Sequence, residues 1–200
     1  DNNSTNKSAA QLQIEVANAI TAFQDTNLND FNKTLRQSKL GAYLDALDIS
    51  IVSSDIIAKP IIEYVPALDI ASSPSFTFET ALVQPYAFDA TTGFTSFVSA
   101  LRSSQFTVDS TPVIIQDDGI GNLMLVTDNS DVPTVFKSSV GTINYTTGAV
   151  SLINLNVSSY VGKAIKFTVS SVNKDVKPPK DRIITIRAED VTVTATPLVV

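Results

Sequence analysis

The side chains that could do chemistry in this sequence are mainly carboxylates, because the chain contains no histidine and no cysteine. The chain therefore lacks histidine as general base and metal ligand. It also lacks the cysteine that thiol catalysis and tetrahedral sulfur sites require. Three neighbouring acid pairs remain: Asp45 with Asp48, Asp117 with Asp118, and Glu189 with Asp190. Paired carboxylates can cleave glycosidic bonds, but these lie where turns and helix ends usually place acids, without flanking aromatic residues. We therefore expect solvated turns, since acids are rarely buried unpaired.

The segment DDGIGN, residues 117–122, invites two ligand interpretations. An EF-hand calcium loop needs oxygen-bearing side chains at its first, third and fifth positions. Counted from Asp117, the third and fifth positions are Gly119 and Gly121. A phosphate-binding loop needs a GK[ST] ending and a following helix, which this segment lacks. A hairpin turn accounts for it better.

Two further groups of residues, a serine–lysine pair and a basic cluster, can be interpreted either as functional or as purely structural. A serine hydrolase without histidine would need a serine–lysine pair, and Ser38-Lys39 is such a pair, but Ser38 is better explained as a helix N-cap. One late loop contains four basic residues: Lys174, Lys177, Lys180 and Arg182. A solvated loop is the default interpretation of this cluster, and docking onto an acidic partner protein is the functional one. The sequence assigns no catalytic, cofactor-binding or metal-binding residue, so we do not expect an enzyme.

Charge and hydropathy restrict the partners of the chain. The net charge is −6 over 200 residues, and the pI is near 4.5 with a mean hydropathy of +0.16. An acidic chain lacks the positive field that binding to nucleic acid or an anionic membrane requires. No apolar run approaches the roughly 18–20 residues of a membrane helix. A length of 200 residues is enough for one or two domains. Because the sequence does not begin with Met, we interpret it as a processed chain or an excised fragment.

The residue pattern predicts an α+β fold with a helical or mixed region at 1–50 and a β-rich region at 51–200, which has an insert or an irregular segment at 71–110. Apolar residues from Leu12 to Phe23 recur at helical spacing and form one apolar stripe. Ser8 and Gln11 are expected to form a capping box at the start of this helix. A second helix is predicted from Ser38, carrying Leu40, Tyr43, Leu44 and Leu47. FNKTLR, before it, is a candidate short strand.

The β-rich region is predicted to be mostly antiparallel hairpins. A strand interrupted at Pro60 follows Ile49, and SFTFET alternates as a half-buried strand. Residues 111–127 and 140–157 are each predicted to form a hairpin, and 163–172 and 182–200 each to contain a strand. In the second hairpin we expect a type I turn on Thr146 and Thr147 with Gly148 in the left-handed region. Ile143 with Tyr145, and Val150 with Leu152, are expected to face the core.

Four phrases, in this order, resemble a known protein family: FNKTLRQSKLGAYLDALDISIVSSDI, QDDGIGNLMLV, VGTINYTTGAVSLINLNV and IKFTVSSVNKDVKPPKDRIITIRAEDVTVTATP. They are similar to the C-terminal part of the large baseplate wedge subunit of T-even-like contractile-tailed bacteriophages, from about Phe31 to Pro197. The phrase from Ser38 to Asp55 also resembles, more distantly, the baseplate J-like family.

The resemblance implies a structural virion protein of the tail baseplate, assembled in the cytoplasm of the bacterial host. Such subunits pair with copies of themselves, bind other wedge and hub proteins, join wedges into a ring around the tail hub and rearrange when the sheath contracts. No cofactor, small-molecule substrate, nucleic acid or membrane is implied. The alternative from the Thr-, Ser- and Asn-rich strands is a β-rich adhesion or carbohydrate-binding domain of a phage fibre or bacterial surface protein.

Overall fold

A computed structural model describes residues 7–86, 98–127 and 134–195, and the chain forms two compact units. The first, which we call the helical unit, combines Asp1–Ala58 with Lys174–Val200. The second, the β unit, is Lys59–Asn173. Two helices precede an antiparallel sheet, so the predicted α+β class is confirmed. The predicted boundary at residue 50 reflects a change of residue types and stays a prediction.

Helix α1 (Ala9–Asn27) opens the helical unit and begins as its sequence predicts. Ser8 is the N-cap, and the reciprocal bonds of a capping box join it to Gln11. This arrangement satisfies two backbone N–H groups that a helix start otherwise leaves without partners. The predicted stripe faces inward, because Ala19 and Phe23 are buried in the core of the unit.

Helix α2 (Gln37–Asp45) packs on α1 but starts differently from the prediction. Its N-cap is Arg36, which makes no side-chain cap bond, so the assignment of Ser38 as N-cap is wrong. The N–H of Gln37 donates instead to a carboxylate oxygen of Asp175 at 3.3 Å. The start of α2 is thus capped by a residue far away in the sequence.

The C-terminal segment returns to the helical unit without forming the predicted closing strand. Leu35 and Val176 exchange two backbone hydrogen bonds of 2.9 Å, which is all that remains of the strand expected in FNKTLR. Ile184 and Ile186 pack against the buried cluster of α1 and α2. Within the described residues up to 195, the part after Arg182 contains a short 3-10 helix, Ala188–Asp190, and no strand.

The described part of the β unit contains ten strands in one sheet. They are β1 (Ile61–Tyr64), β2 (Ser75–Thr77), β3 (Leu101–Ser103), β4 (Phe106–Val108), β5 (Thr111–Asp117), β6 (Asn122–Thr127), β7 (Val135–Asn144), β8 (Ala149–Leu152), β9 (Ser159–Tyr160) and β10 (Ile165–Val169). The order is β1-β10-β3-β5-β6-β7-β8-β2, with β4 pairing both β5 and β9. All neighbours are antiparallel.

Several strand predictions are confirmed. The hairpins β5–β6 and β7–β8 form where expected, and Ile165, Phe167 and Val169 of β10 are buried. The strand after Ile49 is reduced to β1, which begins directly after Pro60 and pairs on one side only, with β10. Proline cannot donate a ladder hydrogen bond, which explains the interruption.

The segment at 71–110 contains more strand than its sequence suggests. SFTFET supplies β2, and Leu101 to Val108, expected to lie in a loop or helical insert, form β3 and β4. Ser104 and Gln105 separate these two strands. The hydroxyls of Ser103, the last residue of β3, and of Ser104 accept the N–H groups of Ile115 and Lys166 at 2.8 and 3.0 Å. Side-chain oxygens thus replace carbonyls at this point of the sheet. The part of the predicted insert or irregular segment at 87–97 falls outside the described residues.

Candidate functional site

The first candidate site is the acid pair that follows the buried residues of β5. Asp117 is fully buried, so the prediction of a solvated turn is wrong for this residue. One carboxylate oxygen accepts the N–H of Leu101 at 2.9 Å. The other accepts the hydroxyl of Tyr145 at 2.8 Å. The carboxyl group therefore joins the start of β3, the end of β5 and the turn after β7.

The two titratable groups of this contact have displaced proton equilibria. Burial raises the pKa of the Asp117 carboxyl above its ordinary value of 3.8, although the hydrogen bonds from Leu101 and Tyr145 oppose the shift. Burial and the charge of Asp117 also raise the pKa of Tyr145 above its ordinary value of 10.0. The phenol therefore stays a hydrogen-bond donor at neutral pH. A carboxyl enclosed in this way holds the fold together and is not exposed to a substrate.

Asp118 is used by the turn itself. Its first carboxylate oxygen accepts the N–H groups of Ile120 and Asn122, both at 2.9 Å, and its second accepts the amide of Asn122 at 2.7 Å. Gly119 and Gly121 both have positive φ, which glycine adopts readily. The predicted hairpin turn is confirmed, and the carboxylate that a calcium ion would need accepts backbone and side-chain donors of the turn.

The other acid pairs are likewise not assembled into a reactive site. Asp48 accepts both the N–H and the hydroxyl of Ser50 and forms an ion pair of 3.0 Å with Lys7. Glu189 and Asp190 lie exposed in the 3-10 helix. Nowhere among the described residues do three or more acidic, histidine or cysteine side chains form a group that could hold a metal ion.

The serine–lysine pair is also separated by its contacts. Ser38 and Lys39 lie in the first turn of α2. The ammonium group of Lys39 donates to the side-chain oxygen of Asn27, on α1, at 2.6 Å. Lys39 therefore contacts α1, and the pair is not arranged as a nucleophile and its base. No helix in the described parts of the chain is long and apolar enough to cross a membrane.

In the turn of the β7–β8 hairpin, the predicted left-handed conformation of Gly148 is confirmed, but the predicted type I hydrogen bond is not formed. Gly148 has φ of +71°, and its N–H donates to the carbonyl of Asn144. A type I turn centred on Thr146 and Thr147 would bond one residue later, at Tyr145, whose carbonyl instead accepts the N–H of Leu82 at 2.7 Å. Ile143, Val150 and Leu152 are buried in the core as expected, and Tyr145 packs against it.

The remaining candidates are surfaces. The loop with the four basic residues lies in the helical unit, and all four side chains are exposed. The helical unit also exposes large apolar side chains that are each more than half accessible: Ile14, Phe31, Ile49, Val52 and Ile57. Sequence reasoning found the basic loop but not this apolar set, because an exposed apolar residue has no signature in a single sequence.

Comparison with known proteins finds a family match for one part of the chain. Residues 1–58 match the family described as baseplate structural protein gp6, C-terminal domain III. A search of curated proteins finds no match. The matched range coincides with the N-terminal segment of the helical unit, Asp1–Ala58. It contains the first of the four phrases on which the sequence resemblance rests, and it also includes residues 1–30.

The matched family is described as structural, and none of the candidate acids is arranged for catalysis in the described parts of the chain. The similarity of residues 1–58 to a phage baseplate domain supports a structural role for this chain in the tail baseplate of a phage, in contact with other baseplate proteins.

Proposed function

We propose that this chain is a baseplate wedge subunit of a contractile-tailed bacteriophage. It self-associates, binds neighbouring wedge and hub proteins, joins wedges into a ring around the tail hub and rearranges when the sheath contracts. It is assembled in the cytoplasm of the bacterial host. The observation that carries the proposal is the match of residues 1–58 to a baseplate structural domain.

The surface of the helical unit supports a role in assembly. Ile49, Val52 and Ile57 are 65%, 63% and 77% exposed and lie within nine residues of one another. Ile14 of α1 is 64% exposed. Single exposed apolar residues are ordinary, but their concentration in the segment that matches a baseplate domain favours burial of this segment by a partner.

Ion pairs beside these exposed residues support the same role. Lys7 forms ion pairs with Glu15 at 2.6 Å and with Asp48 at 3.0 Å. These contacts tie the start of α1 to the segment after α2, next to the exposed Ile49. A surface that is already ordered loses less conformational entropy when a partner binds.

The proposal is tested on the phage particle that carries this chain. Mass spectrometry of purified tails and immunogold labelling with an antibody against the chain should place it at the baseplate, in several copies per tail. Labelling of the fibre tips together with binding to a glycan array would support the adhesion alternative and overturn the proposal. Absence of the chain from purified tails would also overturn it.

A further inference from the structure

The segment after the β unit has a charge opposite to that of the rest of the chain. Residues 174–187 contain five basic and two acidic side chains, which gives +3. The other 186 residues contain nine basic and 18 acidic side chains, which gives −9. We use the name basic loop for residues 174–182, which include Lys174, Lys177, Lys180 and Arg182.

The backbone of the basic loop is fixed on the helical unit. Near its start, Val176 is bonded in both directions to Leu35 at 2.9 Å, and Asp175 caps α2 through Gln37. In its middle, Pro178 is buried and Pro179 follows it. Near its end, the N–H of Arg182 donates to the carbonyl of Pro179 at 3.2 Å. Since each proline also restricts its own φ, the loop is preorganised.

The basic side chains of the loop are available to a partner. All four are exposed. Within the described part of the chain, Lys7, Lys33 and Lys137 form ion pairs, whereas these four side chains form none. The two acids within the loop are Asp175, which accepts the N–H of Gln37 in α2, and Asp181. Neither forms an ion pair with the four basic side chains. A rigid loop with unpaired cations costs little to order on binding.

We propose that the basic loop docks on an acidic surface of a second copy of this chain. The inference rests on the proposed function in one respect, namely that the subunit self-associates. The charge of −9 outside residues 174–187 makes the same chain a complementary partner. Two basic loops would repel each other, so the loop faces a different surface of the partner. Such a contact, when it is head-to-tail, closes into rings if the rotation between copies permits.

An acidic protein surface is a better partner than nucleic acid for this loop. Nucleic acid is bound through many phosphate contacts and a broad positive field, whereas the chain as a whole carries −6. Four cations on a fixed backbone can instead pair one by one with carboxylates across a protein interface. Because these pairs are near the surface, they are screened by salt.

The test is sedimentation velocity of the full chain with matched charge reversals. The loop variant is Lys177→Glu with Lys180→Glu, and the control is Lys59→Glu with Lys163→Glu, two exposed lysines of the β unit. Both variants lower the net charge by the same amount. We expect wild type and control to self-associate at about 50 mM salt and to dissociate at about 0.5 M. The association constant of the loop variant should be lower than that of wild type by about tenfold or more. The association constant of Lys177→Gln with Lys180→Gln should lie between those of wild type and the loop variant.

Three results would overturn the contact: equal association of the loop variant and the control, association of wild type that salt does not weaken, or a wild type that stays monomeric. Circular dichroism of each variant checks that the fold is intact. These outcomes do not depend on where the chain lies in the particle. Conversely, absence from purified tails would overturn the proposed function and leave a salt-dependent contact of the basic loop standing.

Discussion

At the scale of single residues, the contact between Asp117 and Tyr145 shows how an acid can be buried without serving catalysis. The carboxyl accepts donors from two other segments, Leu101 at 2.9 Å and Tyr145 at 2.8 Å. A buried charge with such partners is tolerated, whereas an unpaired one is not. The sequence contained a signal for this: Val113, Ile115 and Asp117 alternate on one face of β5, and the first two are core residues.

Removing the phenol hydroxyl should destabilise the protein in a pH-dependent way. Tyr145→Phe leaves the Asp117 carboxylate with one donor fewer, and hydrogen bonds to charged groups contribute about 1.5–3 kcal/mol. We expect a loss of this size at neutral pH and a smaller one below the ordinary carboxyl pKa of 3.8, where a carboxyl with a raised pKa is protonated. Urea unfolding at a series of pH values measures it. Tyr160→Phe, half-buried against the same core, is the control.

The sign of the pH dependence follows from the raised pKa of Asp117. Well below the ordinary value of 3.8 the carboxyl is protonated in both the folded and the unfolded state, so it does not make stability depend on pH. As pH rises, the unfolded chain loses this proton first, so stability falls until pH passes the raised folded pKa. Asp117→Asn should remove this part of the decline. If wild type and Asp117→Asn show parallel stability curves across that window, the buried carboxyl does not titrate as described.

Gly148 is the residue at which a side chain is least tolerated in the β7–β8 turn. It has φ of +71°, and a β-carbon there would lie 2.6 Å from the carbonyl oxygen of Thr80. Gly148→Val should lower the free energy of unfolding by about 2–4 kcal/mol through backbone strain and overpacking. Thr147→Asn, at the exposed neighbouring position, should change it little. Equal melting temperatures of the two variants would contradict this account of the turn.

At the scale of elements, the sequence predicts those strands that carry a local pattern. The hairpins β5–β6 and β7–β8 have alternating or apolar runs around glycine-bearing turns, and β10 alternates Ile165, Phe167 and Val169 with polar residues. Strands β3 and β4 have three residues each and are separated by Ser104 and Gln105. Such short strands are specified by their neighbours in the sheet and not by their own sequence. Conversely, Val191 and Val193 alternate with threonines but form no strand.

The start of α2 could not be explained from the local sequence, because the residue that caps it is distant in the chain. This cap can be tested by mutation. Gln37 donates its N–H to Asp175 at 3.3 Å. Asp175→Ala removes this acceptor and a negative charge near the helix N-terminus, so we expect a loss of about 0.5–2 kcal/mol in unfolding free energy. Asp25→Ala, at an exposed site of α1, is the control with the same chemical change. Equal thermal stability of the two variants would show that Asp175 does not cap α2.

At the scale of the whole molecule, the chain leaves the helical unit after residue 58 and returns to it at residue 174. The sequence gives no local sign of this return, because it depends on pairings such as Leu35 with Val176, which are 141 positions apart. The basic loop itself was visible in the sequence, but the contacts that fix its backbone were not. Long-range contacts of this kind decide where a surface lies and how rigid it is.

The ends of the β unit lie close together, so the two units should be separable. Strands β1 and β10, next to those ends, are antiparallel partners with Ile61 opposite Thr168. Directly opposite residues are about 5 Å apart, and inserted domains commonly have neighbouring termini. Residues 59–173 should therefore fold alone, with a cooperative urea transition, because their core is internal to the unit.

The helical unit should need both of its segments, because Val176, Ile184 and Ile186 complete the core around Phe23 and Leu35. A chain with residues 59–173 replaced by a short Gly-Ser linker should unfold cooperatively, whereas residues 1–58 alone should not. Circular dichroism with urea, at equal concentrations, distinguishes them, and Leu35→Ala in the linked chain should cost about 2–5 kcal/mol. A cooperative transition of the same midpoint for residues 1–58 alone would mean that the returning segment contributes nothing to the stability of the unit.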